Sequence, residues 1–125
     1  MKDGRPKRGT DRDLALKILA LCSAVKDALD DLLETMFIIY QPVDWYGPLN
    51  GQASFTVIAA NVASYQWQYS EDQGQTWTNT TAEGYNTATM SVRAISDRFR
   101  NLYRCILTDA DGNVLITNSV KMIRQ

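Results

Sequence analysis

The residues that could carry out chemistry are few and do not combine into a catalytic set. The 125-residue sequence contains no histidine, which excludes Ser-His-Asp and Cys-His nucleophile pairs and any His-ligated metal site. Its two cysteines, Cys22 and Cys105, cannot form a four-thiolate metal site. Glu71 and Asp72 are adjacent on a predicted turn, where their side chains diverge, so they do not indicate an acid–base pair. We therefore expect a protein that is not an enzyme and holds no cofactor.

One acidic segment is similar to the opening of a calcium-binding loop. It runs Asp109-Ala110-Asp111-Gly112-Asn113. Such a loop needs a bidentate glutamate at its twelfth position, where this sequence has Val120. The Asp-Gly pair instead indicates the turn of a β-hairpin, so no metal site is expected.

Arginines and aromatic residues are the candidates for binding. Four arginines lie close in sequence, and they could form an anion or glycan patch or a solvated face balanced by Asp97 and Glu83: Arg93, Arg98, Arg100 and Arg104. Trp45 and Tyr46 could form an exposed pair that stacks on a sugar or anchors a protein, or could cover the base of the domain. The candidate ligand or partner surface consists of Trp45, Tyr46, Arg98 and Arg100.

The overall charge argues against a dedicated nucleic-acid binder. Thirteen basic residues against fourteen acidic residues give a net charge of −1, whereas such a domain is normally basic. Residues 1–10 are the exception, with four basic residues and one acidic residue. We predict a flexible basic arm there, with docking on an acidic or phosphate surface as the alternative.

Residues 11–36 contain no glycine or proline and repeat their apolar residues at helical spacing. The segment predicts an amphipathic helix, and its apolar stripe is wider than a two-stranded coiled coil needs. Two interpretations are open: a self-associating coiled coil, for which a parallel homotrimer is favoured, or docking on another protein. The residues predicted to form the oligomerisation seam are Leu14, Ile18, Leu21, Val25, Leu29 and Leu32.

The same helical segment does not indicate export or membrane insertion. Lys17 interrupts its apolar run, and Asp11 and Asp13 precede it, which is unlike a signal peptide. No apolar stretch approaches the roughly 20 residues that a spanning helix needs.

From Phe37 onward the pattern changes to short alternating runs separated by turn residues. About seven such runs occur in residues 37–125, a spacing typical of a β-sandwich; they include predicted strands at Ala53–Ala59, at Leu102–Thr108 and, last, at Val114–Ile123. Phe37-Ile38-Ile39-Tyr40, stopped by Pro42, fits an edge strand. The predicted fold is all-β, preceded by the one amphipathic helix.

Five segments of this region carry a family resemblance. They are Tyr65-Gln66-Trp67-Gln68-Tyr69-Ser70, Gly74-Gln75-Thr76-Trp77, Gly84-Tyr85-Asn86-Thr87-Ala88-Thr89-Met90, Tyr103-Arg104-Cys105 and Thr108-Asp109-Ala110-Asp111-Gly112-Asn113. In this order they resemble the bacterial immunoglobulin-like domain of surface proteins and phage virion proteins. The resemblance covers residues 37–125 and implies an immunoglobulin-like β-sandwich.

The resemblance also implies roles for four core residues. Trp67 corresponds to the buried tryptophan of strand C, and Tyr103 to the tyrosine-corner residue two positions before Cys105. The strand B position opposite Cys105 is Val57, so the inter-sheet disulfide is absent. Val57, Trp67 and Cys105 are expected to pack as an apolar cluster.

By the same analogy we expect a structural or adhesive protein. A docking or oligomerising helix followed by one such module is similar to a phage or prophage virion accessory protein, such as a head fibre, decoration protein or tail-associated protein. Its expected partners are further copies of itself, other virion or surface proteins, and glycans. The expected location is the virion surface, after synthesis in the bacterial cytoplasm. The alternative is an immunoglobulin-like module of a bacterial cell-surface adhesin.

Overall fold

A computed structural model describes residues 34–125 and, before them, Lys17, Ser23 and Val25 alone. The predicted basic arm and nearly all of the predicted helix lie outside these residues, and both stay predictions. The same applies to the predicted seam residues other than Val25, namely Leu14, Ile18, Leu21, Leu29 and Leu32. No helix in the described residues is long and apolar enough to cross a membrane.

Residues 36–125 form an all-β unit with short strands. The strands are β1 (Phe37–Tyr40), β2 (Trp45–Gly47), β3 (Gln52–Thr56), β4 (Ile58–Ala60), β5 (Ser64–Ser70), β6 (Thr78–Asn79), β7 (Thr89–Arg93), β8 (Leu102–Thr108), β9 (Val114–Ile116) and β10 (Val120–Arg124). A 3₁₀ helix, Ser96–Arg100, connects β7 to β8.

The strand count is ten rather than seven because two predicted strands are interrupted and one short strand was not predicted. The predicted strand around Val57 divides into β3, which pairs with β7, and β4, which pairs with β1. The last predicted strand divides into β9 and β10 at residues 117–119. There Thr117 accepts a hydrogen bond from the Cys105 N–H through its hydroxyl at 2.8 Å and donates its own N–H to the Cys105 carbonyl at 3.0 Å.

Two sets of strands give the unit its immunoglobulin-like topology. The first consists of two separate two-stranded sheets, the antiparallel pairs β1–β4 and β3–β7, so the strands pair into three sheets rather than the two of the predicted sandwich. The second has the order β2-β10-β8-β5-β6, with β9 also paired to β8. β2 lies parallel to β10, whereas the other pairs are antiparallel. This order corresponds to the ABE and CFG sheets of an immunoglobulin sandwich, with the first strand divided between them.

The core lies between these two sets of strands and contains all four residues assigned to it. Val57, Trp67, Tyr103 and Cys105 are each 2% exposed or less. The Phe55 ring stacks on the Tyr103 ring with centroids 5.3 Å apart. Met36, placed by the sequence at the end of the helix, is instead buried in this core.

Cys105 is a free, buried thiol. Burial raises the pKa of Cys105 to about 12, so the thiol is neutral and unreactive. Its neighbour across the β5–β8 pairing is Trp67.

Truncation of the core should show how much of the stability depends on this packing. We expect Trp67→Ala to lower the free energy of unfolding by about 3–5 kcal/mol, because it leaves a cavity that the two sheets cannot close. Cys105→Ser should cost less, about 1–3 kcal/mol, because it buries a hydroxyl. Denaturant unfolding of the full chain measures both. A large loss of stability on adding reductant would contradict the absence of a disulfide.

Candidate functional site

A cleft opens at the side of the sandwich where β7 has little pairing beyond β3. On that side β7 receives one isolated bridge, between Glu83 and Ser91, with the Ser91 N–H donating to the Glu83 carbonyl at 2.8 Å. The segment 80–87 instead follows the edge of β5. The Thr80 N–H donates to the Trp67 carbonyl at 3.1 Å, and the Trp67 N–H donates to the Tyr85 carbonyl at 2.8 Å. The cleft therefore lies between the C-terminal part of β7 with the 3₁₀ helix on one side and β5 on the other.

The cleft has a volume of about 650 Å³, within the usual size range of small-ligand sites. Apolar and aromatic side chains of both sheets contribute to its wall, and charged and hydroxyl groups come from the loops and the 3₁₀ helix. The lining residues are Tyr69, Glu71, Thr80, Thr81, Ala82, Val92, Ile95, Asp97, Arg98, Arg100, Asn101 and Tyr103. Two arginines face two carboxylates in this set, so the charge of the cleft is balanced.

Arg98 and Arg100 both line the cleft, from the 3₁₀ helix. The Arg98 Nη1 donates to the Arg93 carbonyl at 3.0 Å, which holds one side of its guanidinium. The Gln73 Nε2 donates to the Arg100 carbonyl at 3.3 Å and ties the helix to the turn after β5. The Arg98 guanidinium is thereby held at one nitrogen, and the helix backbone is held at Arg100.

Tyr103 provides a neutral hydroxyl at this site. Burial raises the pKa of Tyr103, against the lowering effects of its hydrogen bond with Asn101 and of the nearby Arg98 charge. Tyr69 and Glu71 raise it further, which shows that these groups surround the same phenol. The hydroxyl therefore stays protonated at physiological pH and can act as a donor or an acceptor.

The four arginines that are close in sequence do not form one patch. Arg104 lies on β8, outside the cleft lining, with its guanidinium carbon 4.1 Å from the centroid of the Trp77 ring. Its Nε donates to the Gln68 side chain at 2.9 Å, and Gln68 donates in turn to Asn79 at 2.9 Å. Arg104 thus belongs to a hydrogen-bonded ladder across β8, β5 and β6, and its guanidinium covers the Trp77 ring. This leaves Arg98 and Arg100 as the binding candidates of the group.

Trp45 and Tyr46 do not form a single exposed pair. They are consecutive on β2, so their side chains point to opposite faces of the sheet. Trp45 packs against the hydrophobic core, whereas Tyr46 is 58% exposed. The Trp45 ring also covers Gly47 and Gly51, where an added Cβ would collide with it. Of the two alternatives given for this pair, Trp45 therefore has the packing role. Neither Trp45 nor Tyr46 lines the cleft.

Single substitutions should separate the two aromatic residues. Trp45→Ala should lower the melting temperature clearly, because it uncovers Gly47, Gly51 and part of the core. Tyr46→Ala should leave the melting temperature nearly unchanged, because it removes an exposed side chain. Thermal unfolding of the full chain followed by circular dichroism measures both. Equal losses for the two variants would contradict the assignment of opposite faces.

The turn between β5 and β6 is organised by a carboxylate that sequence reasoning treated only as a solvated turn. Asp72 accepts hydrogen bonds from the Ser70 hydroxyl at 2.7 Å and from the Thr76 N–H at 2.8 Å and hydroxyl at 2.5 Å. Gly74, with a φ of +91°, donates its N–H to the Ser70 hydroxyl at 2.8 Å. The alternation of Ser, Asp, Gly and Thr at positions 70, 72, 74 and 76 is the signal that could have indicated this network.

The Asp72 network predicts an acid-dependent loss of stability. Hydrogen bonds from the Thr76 hydroxyl, the Thr76 N–H and Ser70 lower the pKa of Asp72 from 3.8 to about 2. Because the pKa is lowered in the folded state, the stabilisation is complete above about pH 4 and is lost as the pH falls towards about 2. Urea unfolding at several pH values should show this loss in the wild-type chain and a weaker one in Asp72→Asn.

Asp111→Asn is the matched control for that experiment. Asp111 is also an exposed aspartate in a hairpin turn, so this variant should keep the acid dependence of the wild-type chain. Identical acid profiles for Asp72→Asn and the wild type would show that the network does not stabilise the fold.

The segment similar to a calcium loop is a hairpin turn between β8 and β9. Asp109 uses its carboxylate within this turn and accepts from the N–H groups of Asp111 and Asn113, each at 2.9 Å. The Asn113 side chain donates to it as well, and this bond is the main reason why the pKa of Asp109 is lowered. Among the described residues, no three metal-binding side chains of His, Cys, Asp or Glu come together.

Among the comparisons with known proteins, only the search of solved structures found similar proteins. No family model and no curated protein matches the sequence. Domain D1 of Duf (Kirre) overlaps with a TM-score of 0.49 at 12% identity, covering 73% of this chain and 97% of that one. Dpr1 IG1, solved bound to DIP-eta IG1, gives 0.49 at 15% identity, covering 73% and 96%. Titin I81 gives 0.42 at 10% identity, covering 72% and 96%. At such low scores, the immunoglobulin-like architecture depends on the strand order described above.

Proposed function

We propose that this protein is a non-enzymatic attachment protein whose immunoglobulin-like module binds a glycan in the cleft beside the 3₁₀ helix. In this proposal it is an accessory protein of a phage or prophage virion, displayed on the particle as a head fibre, decoration or tail-associated protein. The predicted helix assembles copies of the chain or docks it on another virion protein.

The cleft is the observation that carries this proposal. Its arginines, carboxylates, threonines and asparagine supply donors and acceptors close together, as a ligand with many hydroxyl groups requires. The balanced charge favours a neutral ligand over an anion or a cation. Tyr69, which is only partly buried, adds aromatic surface of the kind that packs against a sugar ring, and Tyr103 contributes its hydroxyl.

The arrangement of the site also supports binding rather than catalysis. Catalysis by acid and base needs two titratable groups whose environments separate their pKa values. In the cleft, the group with a displaced pKa is Tyr103, and its shift keeps it neutral. The cleft can therefore hold a polar ligand in a fixed orientation through hydrogen bonds.

Binding of the full chain to mucin-type and bacterial-surface polysaccharides, immobilised on an array, tests the ligand. Replacing Arg98 and Arg100 together with Ala should weaken binding by about tenfold or more, because each removes hydrogen bonds from a charged donor. The melting temperature should change little, since both side chains lie at the cleft rather than in the core. Full retention of binding by the double variant would overturn the assignment of the cleft.

Arg124→Ala is the matched control, since Arg124 is an exposed arginine on β10 that does not line the cleft. This variant should bind as the wild type does. Loss of binding in both variants would indicate attraction by general positive charge instead.

The virion assignment needs a separate test. Antibodies against the chain should label purified virus particles from the strain that makes it, and the protein should sediment with them. Labelling of the bacterial cell surface without particles would support the adhesin alternative instead.

A further inference from the structure

A group of exposed apolar side chains lies on and beside the first strand. Phe37, Ile39, Tyr40 and Ile58 are 43%, 60%, 57% and 49% exposed, and we call them the β1 patch. Residues 36–43 include no charged side chain. Water-exposed faces of antiparallel sheets normally carry polar residues, so a patch of this kind indicates an interaction surface.

A β-bulge in β1 brings the aromatic residues of the patch to one face. Ile38 pairs with Ala59, and Tyr40 pairs with Ile58, so Ile39 is an extra residue in the strand. Residues opposite each other on neighbouring strands share a face. Phe37 pairs with Ala60 and Tyr40 with Ile58, and these partners are two residues apart on β4. Phe37 and Tyr40 therefore both lie on the outer face, although their spacing of three would place them on opposite faces of a regular strand.

β1 is also an edge strand that carries no charge or proline against further pairing, so its protection is limited to its short length and the bulge at Ile39. Within residues 34–125 it pairs with β4 and with no other strand. Natural edge strands commonly carry lysine, proline or an inward-pointing charge that prevents pairing with a further strand. The Phe-Ile-Ile-Tyr sequence of β1 has none of these, and Pro42 follows only after the strand has ended.

We propose that the free edge of β1 pairs antiparallel with β1 of a second copy of this chain, joining the two β1–β4 sheets across a two-fold axis. The symmetric register places Phe37 opposite Tyr40 of the partner subunit, and Tyr40 opposite Phe37 of the partner subunit. Both cross-strand pairs are aromatic and lie on the same outer face. A two-fold contact requires a self-complementary surface, and the uncharged strand meets that requirement without repulsion.

This dimer is distinct from the predicted helical seam and from the glycan cleft. None of the residues that line the cleft belongs to β1 or β4. The contact therefore does not depend on the proposed function, and it can fail or succeed independently of glycan binding.

Sedimentation velocity of the full chain over a range of concentrations tests the proposal. The chain is studied as it is and also with Ile18→Asp and Val25→Asp, which remove the predicted helical seam. We expect the seam variant to remain in a monomer–dimer equilibrium. Adding Ile39→Lys should raise the dimer dissociation constant by at least about tenfold, because the charge of each copy would be forced into the contact.

Val114→Lys in the same background is the matched control. Val114 is an exposed β-branched residue, 54% accessible, on the edge strand β9 of the other sheet. This variant should dimerise as its parent does, and circular dichroism should show both lysine variants folded. A seam variant that is monomeric at every concentration, or equal effects of the two lysines, would overturn the proposal.

Hydrogen exchange gives a second, independent measurement. Amide protection in residues 37–40 of the full chain should increase with protein concentration, and Ile39→Lys should remove that increase. Protection that does not depend on concentration would overturn the proposal, because the edge would then be covered without a second copy.

Discussion

Trp67 connects the core of the sandwich to the segment that shapes its open side. Its indole is fully buried between the sheets, and the indole N–H donates to the Thr87 carbonyl at 2.8 Å. Its backbone N–H and carbonyl bond to Tyr85 and Thr80. One residue thus holds the segment 80–87 along the edge of β5 by three hydrogen bonds. Because an unpaired polar group in the core is costly, the indole N–H helps to fix this route in addition to the packing.

The path of that segment determines where the cleft lies. A segment committed to β5 cannot also pair along the whole of β7, and the Glu83–Ser91 bridge is the contact that remains. The space left between β7 and β5 is the cleft. At the free edge of β7, the Arg93 carbonyl already accepts from the Arg98 side chain and from the Ile95 N–H at 3.0 Å, so it is not available to an added strand. The same arginine therefore both protects the β7 edge and contributes charge to the site.

The sequence allowed the sandwich to be predicted because its signals are local and periodic. Strand β8 was predicted with its observed bounds, since alternate residues of Leu102–Thr108 point into the core. Strand β2 was missed because three residues between Pro42 and Pro48 are too short to show alternation. The division of the last strand depends on the Thr117 hydroxyl replacing a backbone partner of Cys105, a pairing that no pattern within one strand reveals.

The cleft was only half predictable for a related reason. Arg98 and Arg100 were identified from their residue type. The residues that line the cleft with them, Tyr69, Glu71 and Tyr103, come from β5, the turn after β5, and β8. The segment 80–87 has no periodic pattern, so the sequence did not indicate that it would leave β7 open. For Trp45, the residue type alone could not distinguish a ring that stacks on a ligand from one that covers two glycines.

The two surfaces of the sandwich have complementary consequences for attachment. In the proposed function, a cleft that offers hydrogen bonds to hydroxyl groups, without net charge, gains little over water at each contact, so a single site is expected to bind a glycan weakly. Repeated glycans on a surface compensate for weak single sites when several sites are held together, because the second binding event becomes intramolecular. No β1 residue lines the cleft, so the proposed dimer contact does not use the residues of either copy's cleft. Association through an apolar edge and recognition through a polar cleft can therefore act together, each using a part of the sandwich that the other leaves free.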